Sequence, residues 1–318
     1  MSTVRPAQRG LLFLGCLLAF VRWEPAPYDL FLIIIFLLYA RGLTWKSYQL
    51  VFVVLLGPLL FTHVPALGAA LEVAPERTLY YSLVTLYLAL SSVFFMSLPE
   101  RSVPLLLLGY EVGALLSGLL GVLAFLRIPG LEDLLWGGSR AVAFFKDPNV
   151  FGAFLIPALF LALARLEQGR KFWILPALIL FLGVLVSLSR GAWANFAVAL
   201  LAWRLLRPRK RIWLPLVLLT LAGGVGISVV VMPDNPIVQR LGFMPYDKER
   251  FFTQMEALSL ALTQPLGYGP GLSEIHLSYA THNTYVRFLA EVGWLGLFFW
   301  LLILGTSLIW SLYQGLKQ

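Results

Sequence analysis

Long apolar runs recur along this chain, and they constrain its fold more than any other feature of the sequence. Residues 79–98 and 103–126 are two such runs, with at most one charged residue each. A helix needs about 20 apolar residues to cross a bilayer, whereas strands and buried core helices are shorter. Only 13% of the 318 residues are charged, about half the share found in soluble domains. The sequence therefore predicts an all-α integral membrane protein.

Ten apolar runs predict about ten transmembrane helices that form a single transmembrane domain over residues 1–318. The first two runs are short for a span, so the count ranges from nine to eleven. The runs lie near residues 10–22, 28–40, 47–62, 79–98, 103–126, 149–165, 172–188, 191–206, 212–232 and 284–314.

The longest connection, residues 233–283, is predicted to be an outer-face loop that contains an amphipathic helix. Asp247, shortly after Pro245, has the form of a helix cap. Pro265 then ends the helical pattern, and a glycine-rich turn follows at 267–271. Apolar residues at helical spacing predict that the helix lies in the membrane interface, and these residues are Phe251, Met255, Leu258 and Leu262.

The distribution of charge predicts the topology. The connection 204–211 holds five Lys or Arg residues, and the positive-inside rule places it in the cytoplasm. Alternation of the predicted helices then puts both termini in the cytoplasm, with 14 basic and three acidic residues on that side. The net charge of +8 is therefore a signal of membrane orientation, and we expect no nucleic-acid partner.

Metal and nucleotide chemistry find no support in the sequence. Cys16 is the single cysteine, and the three histidines, His63, His276 and His282, lack metal-ligand spacing. No phosphate-binding GxxxxGK[ST] loop is present. We therefore predict no metal and no cofactor.

Two arginines on the predicted outer side could bind an anion. Arg190 lies between two adjacent apolar runs, and Arg250 lies in the first turn of the predicted loop helix, with Arg240 and Lys248 nearby. A guanidinium offers planar, bidentate donors suited to phosphate. The simpler alternatives are a snorkelling or Glu-paired arginine at 190 and a solvated loop charge at 250.

His282 and Asn283 precede the last apolar run. An imidazole there could take a proton from a hydroxyl nucleophile, although a lone interfacial histidine can equally be a cap. Arg287 and Glu291 are four residues apart on the same predicted helix and are expected to pair. Glu111, within the fifth run, has no evident partner in the sequence.

Three sequence patches together resemble the O-antigen ligase and polymerase superfamily of bacterial membrane glycosyltransferases. They are DPNVFG at 147–152, SRGAW at 189–193, and HNTYV at 282–286 running into LAEVGWLG at 289–296. Arg250 followed by PLGYG at 265–269 matches the loop pattern of the family. A Trp that many relatives carry after the loop arginine is absent here, and this bears on the acceptor. The resemblance covers roughly residues 140–300.

The resemblance implies a GT-C-like fold and an inverting, metal-independent transfer from a polyprenyl diphosphate-linked glycan at the outer leaflet. It implies that Arg190 and Arg250 hold the diphosphate and that His282 activates the acceptor hydroxyl. The acceptor would be a lipid-linked repeat unit or a lipid A core sugar. The predicted substrate-binding residues around these three are Arg240, Lys248, Asn149, Asn283, Tyr285 and Arg287.

Several alternatives remain open from the sequence. A polymerase and a ligase fit equally well, and a relative that glycosylates proteins is a third reading. A transporter or flippase of lipid-linked glycans is the non-catalytic alternative, although it would more often carry charges near the membrane midplane. The expected location is the bacterial cytoplasmic membrane with the active site facing outward. Membrane lipids and a chain-length regulator are the further partners expected.

Overall fold

The computed structural model describes residues 6–39, 47–206, 245–277 and 281–316, and about 79% of these residues are helical. The predicted run 212–232 and the candidate residue Arg240 lie outside the described residues. The only strands within the described ranges are Leu135–Trp136 (β1) and Arg140–Ala141 (β2), which form an antiparallel hairpin. The structure thus confirms the all-α class predicted from the apolar runs.

Most helices begin and end close to the predicted limits. Proline at the first or second helical position of α4 to α7 suits a helix start, because its missing N–H would have no partner there. The helices are α1 (Pro6–Leu17), α2 (Pro27–Tyr39), α3 (Ser47–Phe61), α4 (Val64–Val73), α5 (Pro75–Met96), α6 (Val103–Phe125), α7 (Pro148–Glu167), α8 (Ile174–Val186), α9 (Arg190–Leu206), α10 (Pro245–Thr263), α11 (Ser273–His276) and α12 (Thr284–Leu316).

Four helical segments among the described residues are long and apolar enough to cross a membrane: Pro75–Met96, Glu100–Phe125, Pro148–Glu167 and Thr284–Gly315. A fifth span results if α3 and α4, which meet at a bend of 41°, count as one. Helices α1, α2 and α8 have only 12 or 13 residues, which is short for a bilayer. The chain is a multi-pass membrane protein, and about ten spans remains a prediction.

The described residues form two compact units. The first unit comprises those within Met1–Gly42 and Pro99–Gly242, and the second those within Leu43–Leu98 and Phe243–Gln318. The core of the first unit is built by α6, α7 and α8, with Phe145, Phe151 and Leu155 fully buried. In the second unit, α12 packs against α3 and α10.

In the first unit, α1 and α6 pack backbone to backbone. A Cβ atom at Gly15 would collide with the carbonyl oxygen of Leu106, and one at Gly109 with the carbonyl oxygen of Leu12. Gly113, four residues after Gly109, faces the carbonyl oxygen of Cys16 in the same way. Small residues at this spacing allow close helix packing where the lipid supplies no hydrophobic driving force.

Glu111, which had no evident partner in the sequence, pairs with Arg165 in the first unit. The carboxylate is 5% exposed, and its Oε1 lies 2.6 Å from Nη1 of Arg165. The two groups meet as an ion pair whose angles fall outside hydrogen-bond geometry. Arg165 also stacks 4.1 Å from the ring centroid of Trp173. These contacts give Glu111 a structural partner between α6 and α7.

The close approach of Gly109 to the carbonyl oxygen of Leu12 predicts that Gly109→Ala destabilises the protein. This is expected although alanine is more favourable than glycine in a helix by about 1 kcal/mol. The added methyl group meets backbone that cannot move aside, which costs about 1–3 kcal/mol. Gly118→Ala is the matched control, because its Cβ would find its nearest neighbour at 3.7 Å. Thermal unfolding of the purified variants in one detergent checks this. Equal melting temperatures for the two variants would contradict the close packing.

Candidate functional site

The predicted site residues divide between the two compact units. Asn149 and Arg190 belong to the first unit. The second contains the predicted residues of the loop and of the last helix, which are Lys248, Arg250, His282, Asn283, Tyr285 and Arg287.

Arg190 is the first residue of α9, at the end of a tight turn from α8. Ser189, which is buried, caps this helix by accepting a hydrogen bond from the backbone N–H of Ala192 at 3.1 Å. The first turn of α9 contains no acidic residue. A cation at a helix N-terminus adds to the positive end of the helix dipole, so this position favours an anion close to Arg190.

Asn149 lies beside this turn, at the start of α7. The side chain of Asp147 accepts a hydrogen bond from the N–H of Asn149 at 2.6 Å, so Asp147 is the N-terminal cap of α7. Gly152 allows α7 to approach the turn, because a Cβ there would lie 2.6 Å from Oγ of Ser187. The DPNVFG and SRGAW patches therefore form one structural element.

Arg140 joins the DPNVFG patch to the turn that precedes Arg190, and it was not predicted from the sequence. Its Nη2 donates to Oδ1 of Asn149 at 3.1 Å, and its Nε donates to the carbonyl oxygen of Ser187, also at 3.1 Å. Arg140 lies on β2, 50 residues before Arg190. It lies in the connection between the predicted runs 103–126 and 149–165, and none of the motifs in the sequence indicated it. A second guanidinium is thus held within the Asn149 and Arg190 element.

The predicted loop helix is present in the second unit as α10. It begins at Pro245, because proline suits the first helical position, so Asp247 lies inside the first turn and is not the cap. Arg250 consequently falls in the second turn of α10 and not in the first. The effect of the helix dipole is weaker in the second turn. Arg250 is half-buried, whereas Lys248 is exposed.

The apolar stripe predicted for this helix is exposed, and a face of small residues packs inward. Ala257 and Ala261 are buried, and Ala257 packs with Leu277 and with Ala290 of α12. The exposed face suits a helix at a membrane interface, where apolar side chains contact lipid. It consists of Phe251, Phe252, Met255, Leu258 and Leu262.

His282 and Asn283 stand at the N-terminus of α12. Oδ1 of Asn283 accepts hydrogen bonds from the N–H groups of Tyr285 at 3.0 Å and Val286 at 3.3 Å, so it is the helix cap. His282 has a φ of 47°, in the left-handed region, and is exposed, as is Tyr285. The cap fixes the backbone directly after His282 and leaves the imidazole at the helix start.

The glycine-rich turn of the loop binds to a break in α12. The break occurs at Gly293, with φ 67° and ψ −168°. The N–H groups of Tyr268 and Gly269 donate to the carbonyl oxygens of Ala290 and Glu291, each at 2.9 Å. In return, the N–H of Trp294 donates to the carbonyl oxygen of Pro265 at 3.1 Å. The PLGYG and EVGWLG segments thus form one clasp, which spans 265–269 and 290–294.

Arg287 and Glu291 pair as predicted, with Nε and Oε1 3.0 Å apart. The same carboxylate oxygen accepts a hydrogen bond from Oγ of Ser273 at 2.6 Å. The guanidinium of Arg287 also lies 4.4 Å from the ring centroid of Tyr81 on α5. Arg77, which pairs with Glu274, contacts the same ring. This network holds the segment around α11 against α5 and α12.

No cluster of three or more metal-ligating side chains occurs in the part of the chain that the structure describes. The candidate residues of the second unit supply an imidazole, an amide and guanidinium groups at or near helix starts. Those of the first unit supply an amide from Asn149 and guanidinium groups from Arg140 and Arg190, without an imidazole. Guanidinium and amide groups can bind an anionic oxygen of a substrate, and an imidazole can accept a proton from a substrate hydroxyl.

Comparison with known proteins supports the resemblance drawn from the motifs. Residues 175–301 match the sequence model of the O-antigen ligase family, over about two fifths of the chain. The match contains Arg190, Arg250 and His282, whereas the DPNVFG patch lies before it. No curated protein and no solved structure matches the chain.

The clasp predicts that Gly293→Ala loosens the loop from α12. A Cβ at Gly293 would collide with the carbonyl oxygen of Pro265, and its positive φ is unfavourable for alanine. We expect a loss of about 1–3 kcal/mol in stability and faster proteolysis within 245–277 in nanodiscs. Gly305→Ala, on the same helix with no atom within 4 Å of its Cβ, serves as the control. Equal cleavage rates in the two variants would refute the clasp.

Proposed function

We propose a function from the premise that the chain belongs, over residues 175–301, to the O-antigen ligase family. The family implies a membrane protein with glycosyltransferase-like activity of the ligase or polymerase type, acting on a lipid-linked glycan and an acceptor. We propose that this chain transfers a glycan from a polyprenyl diphosphate donor to a sugar hydroxyl at the outer leaflet. The observation that carries the proposal is that the matched region contains both proposed anion-binding arginines and the proposed base.

The proposed reaction is a single displacement with inversion. His282 accepts the proton of the acceptor hydroxyl, and the hydroxyl oxygen attacks the anomeric carbon from the side opposite the diphosphate. The bond between the anomeric carbon and the diphosphate oxygen breaks, and the polyprenyl diphosphate leaves with the electron pair. The exposed position of His282 directly before α12 supports this role, because a base needs access to the acceptor.

The arginines are proposed to stabilise the negative charge that develops on the leaving diphosphate. Arg190 at the start of α9 and Arg250 on α10 are proposed to contribute in this way, so the mechanism uses no metal ion. Asn149, Arg240, Lys248, Asn283, Tyr285 and Arg287 complete the proposed substrate-binding set. The hydrogen bonds of Asn149 and Asn283 support positioning roles, because Asn149 holds Arg140 and Asn283 caps α12.

The acceptor is proposed to be either a second lipid-linked repeat unit or a lipid A core sugar. The first makes the protein a polymerase and the second a ligase. We further propose that it resides in the bacterial cytoplasmic membrane, with both termini inside, the active site outside, and a chain-length regulator as partner for a polymerase. The positive-inside distribution of charge supports this orientation.

Purified protein, incubated with a polyprenyl diphosphate-linked repeat unit, distinguishes these readings. A ladder of products would identify a polymerase, and one shifted product of an added lipid A core would identify a ligase. Activity that disappears with a chelator would contradict the metal-free mechanism. Movement of the donor across a vesicle membrane without any glycosidic product would favour a flippase.

We expect Arg190→Ala, Arg250→Ala and His282→Ala each to lower kcat/KM by about 100-fold or more, because each removes charge stabilisation or proton transfer in the transition state. Arg170→Ala, at an exposed arginine after α7, is the control for the arginines. His276→Phe is the control for the histidine, because it retains a ring against Tyr268. Initial rates of diphosphate lipid release would measure the effect. Full activity in Arg190→Ala or His282→Ala would refute the site assignment.

A further inference from the structure

A groove of about 440 Å³ lies between α3, α5 and α12, entirely within the second unit. Its volume falls in the range of about 300–1,000 Å³ that small-molecule sites occupy. Most of its wall is apolar and includes Leu60, Val84, Leu88, Phe288 and Trp300. The rings of Phe288 and Trp300 stack 4.8 Å apart and form one continuous surface. The groove is shaped for an apolar ligand.

One end of the groove is polar and adjoins the proposed base. Thr284, Arg287 and the paired Glu291 line this end, two, five and nine residues after His282. Nε of Arg287 binds Glu291, and the guanidinium plane lies against Tyr81. The terminal nitrogens of Arg287 have no hydrogen-bond partner among the described residues. The guanidinium is positioned by Glu291 and Tyr81, and its terminal N–H groups can donate hydrogen bonds to an anionic head group.

The apolar part extends along α5 from Tyr81 to Ser92. These twelve residues span about 16 Å, since an α-helix rises about 1.5 Å per residue. Leu88 is 57% exposed although it lines the groove, so the groove is open at its side. A chain could therefore enter laterally from the bilayer and keep its head at the polar end.

We infer that this groove binds the isoprenoid chain next to the diphosphate of the lipid-linked donor, with Arg287 facing the diphosphate. The inference rests on the proposed function, and it adds where the lipid lies. A bilayer gives no hydrophobic gain for moving a chain from lipid to protein. Recognition must then come from the charge of the head and from van der Waals fit to the branched chain. An isoprenoid diphosphate supplies both, and its head would reach the start of α12.

Leu88→Trp and Leu90→Trp test the groove as a matched pair. Both leucines lie on α5 and are 57% and 56% exposed, but only Leu88 lines the groove. The donors carry the same repeat unit on a long prenyl chain or on one of two isoprene units. We expect Leu88→Trp to raise KM for the long-chain donor about tenfold, because the larger indole occupies space that the chain would fill and so removes the chain's van der Waals contacts with the groove. The value of kcat and the short-chain KM should stay unchanged. Leu90→Trp should change neither. Equal long-chain KM values in the two variants would overturn the inference.

A binding measurement separates this inference from the proposed function. A prenyl diphosphate without sugar, carrying a diazirine at its third isoprene unit, should label peptides of α3, α5 and α12 in the wild-type protein and in Leu90→Trp, and label Leu88→Trp weakly. Excess unlabelled prenyl diphosphate should compete, and phosphatidylglycerol should not. Equal competition by phosphatidylglycerol would assign the groove to phospholipid and overturn the inference. Specific labelling of a wild-type protein that transfers no glycan would refute the proposed function and leave the groove standing.

Discussion

Every backbone polar group within the hydrocarbon of a membrane needs a partner inside the protein, and the described structure depends on this constraint. Continuous helices meet it along most of the chain. At Gly293, α12 breaks, and the loop turn then supplies the missing partners through Tyr268, Gly269 and Pro265. The break is tolerated because another segment satisfies it. The glycine-rich turn thus supplies the hydrogen-bond partners that α12 lacks at its break, and the same hydrogen bonds hold the turn in place.

The same constraint explains why glycines occur where segments cross. Without a hydrophobic driving force between helices, close backbone approach and van der Waals contact must hold them together. Gly109 and Gly113 serve this purpose between α6 and α1, and Gly152 serves it between α7 and the turn before Arg190. The Gly152 contact holds together the starts of α7 and α9, which bear Asn149 and Arg190, so close packing positions these two candidates of the first unit.

Local patterns were predictable from the sequence, and long-range contacts were not. The apolar runs predicted most helices, and spacing within one turn predicted the Arg287 to Glu291 pair. The pairing of Glu111 with Arg165 joins residues 54 positions apart, and Arg140 reaches Ser187 across 47. Such partners depend on how the helices pack. The apolar stripe on α10 is a further example. Its spacing indicated an amphipathic helix, but it did not indicate that Ala257 and Ala261 would be the residues that pack inward.

Local rules of stability are broken beside two of the residues proposed to act in catalysis. Leu188 and His282 both have φ near +48°, a region that costs a non-glycine residue about 1–3 kcal/mol. One precedes the turn to Arg190, and the other is the proposed base. Arg190 also places a cation at the positive end of a helix. The two positive φ angles cost stability, and they lie near Arg190 and at His282. Departures of this kind are expected where a chain gives up stability for function.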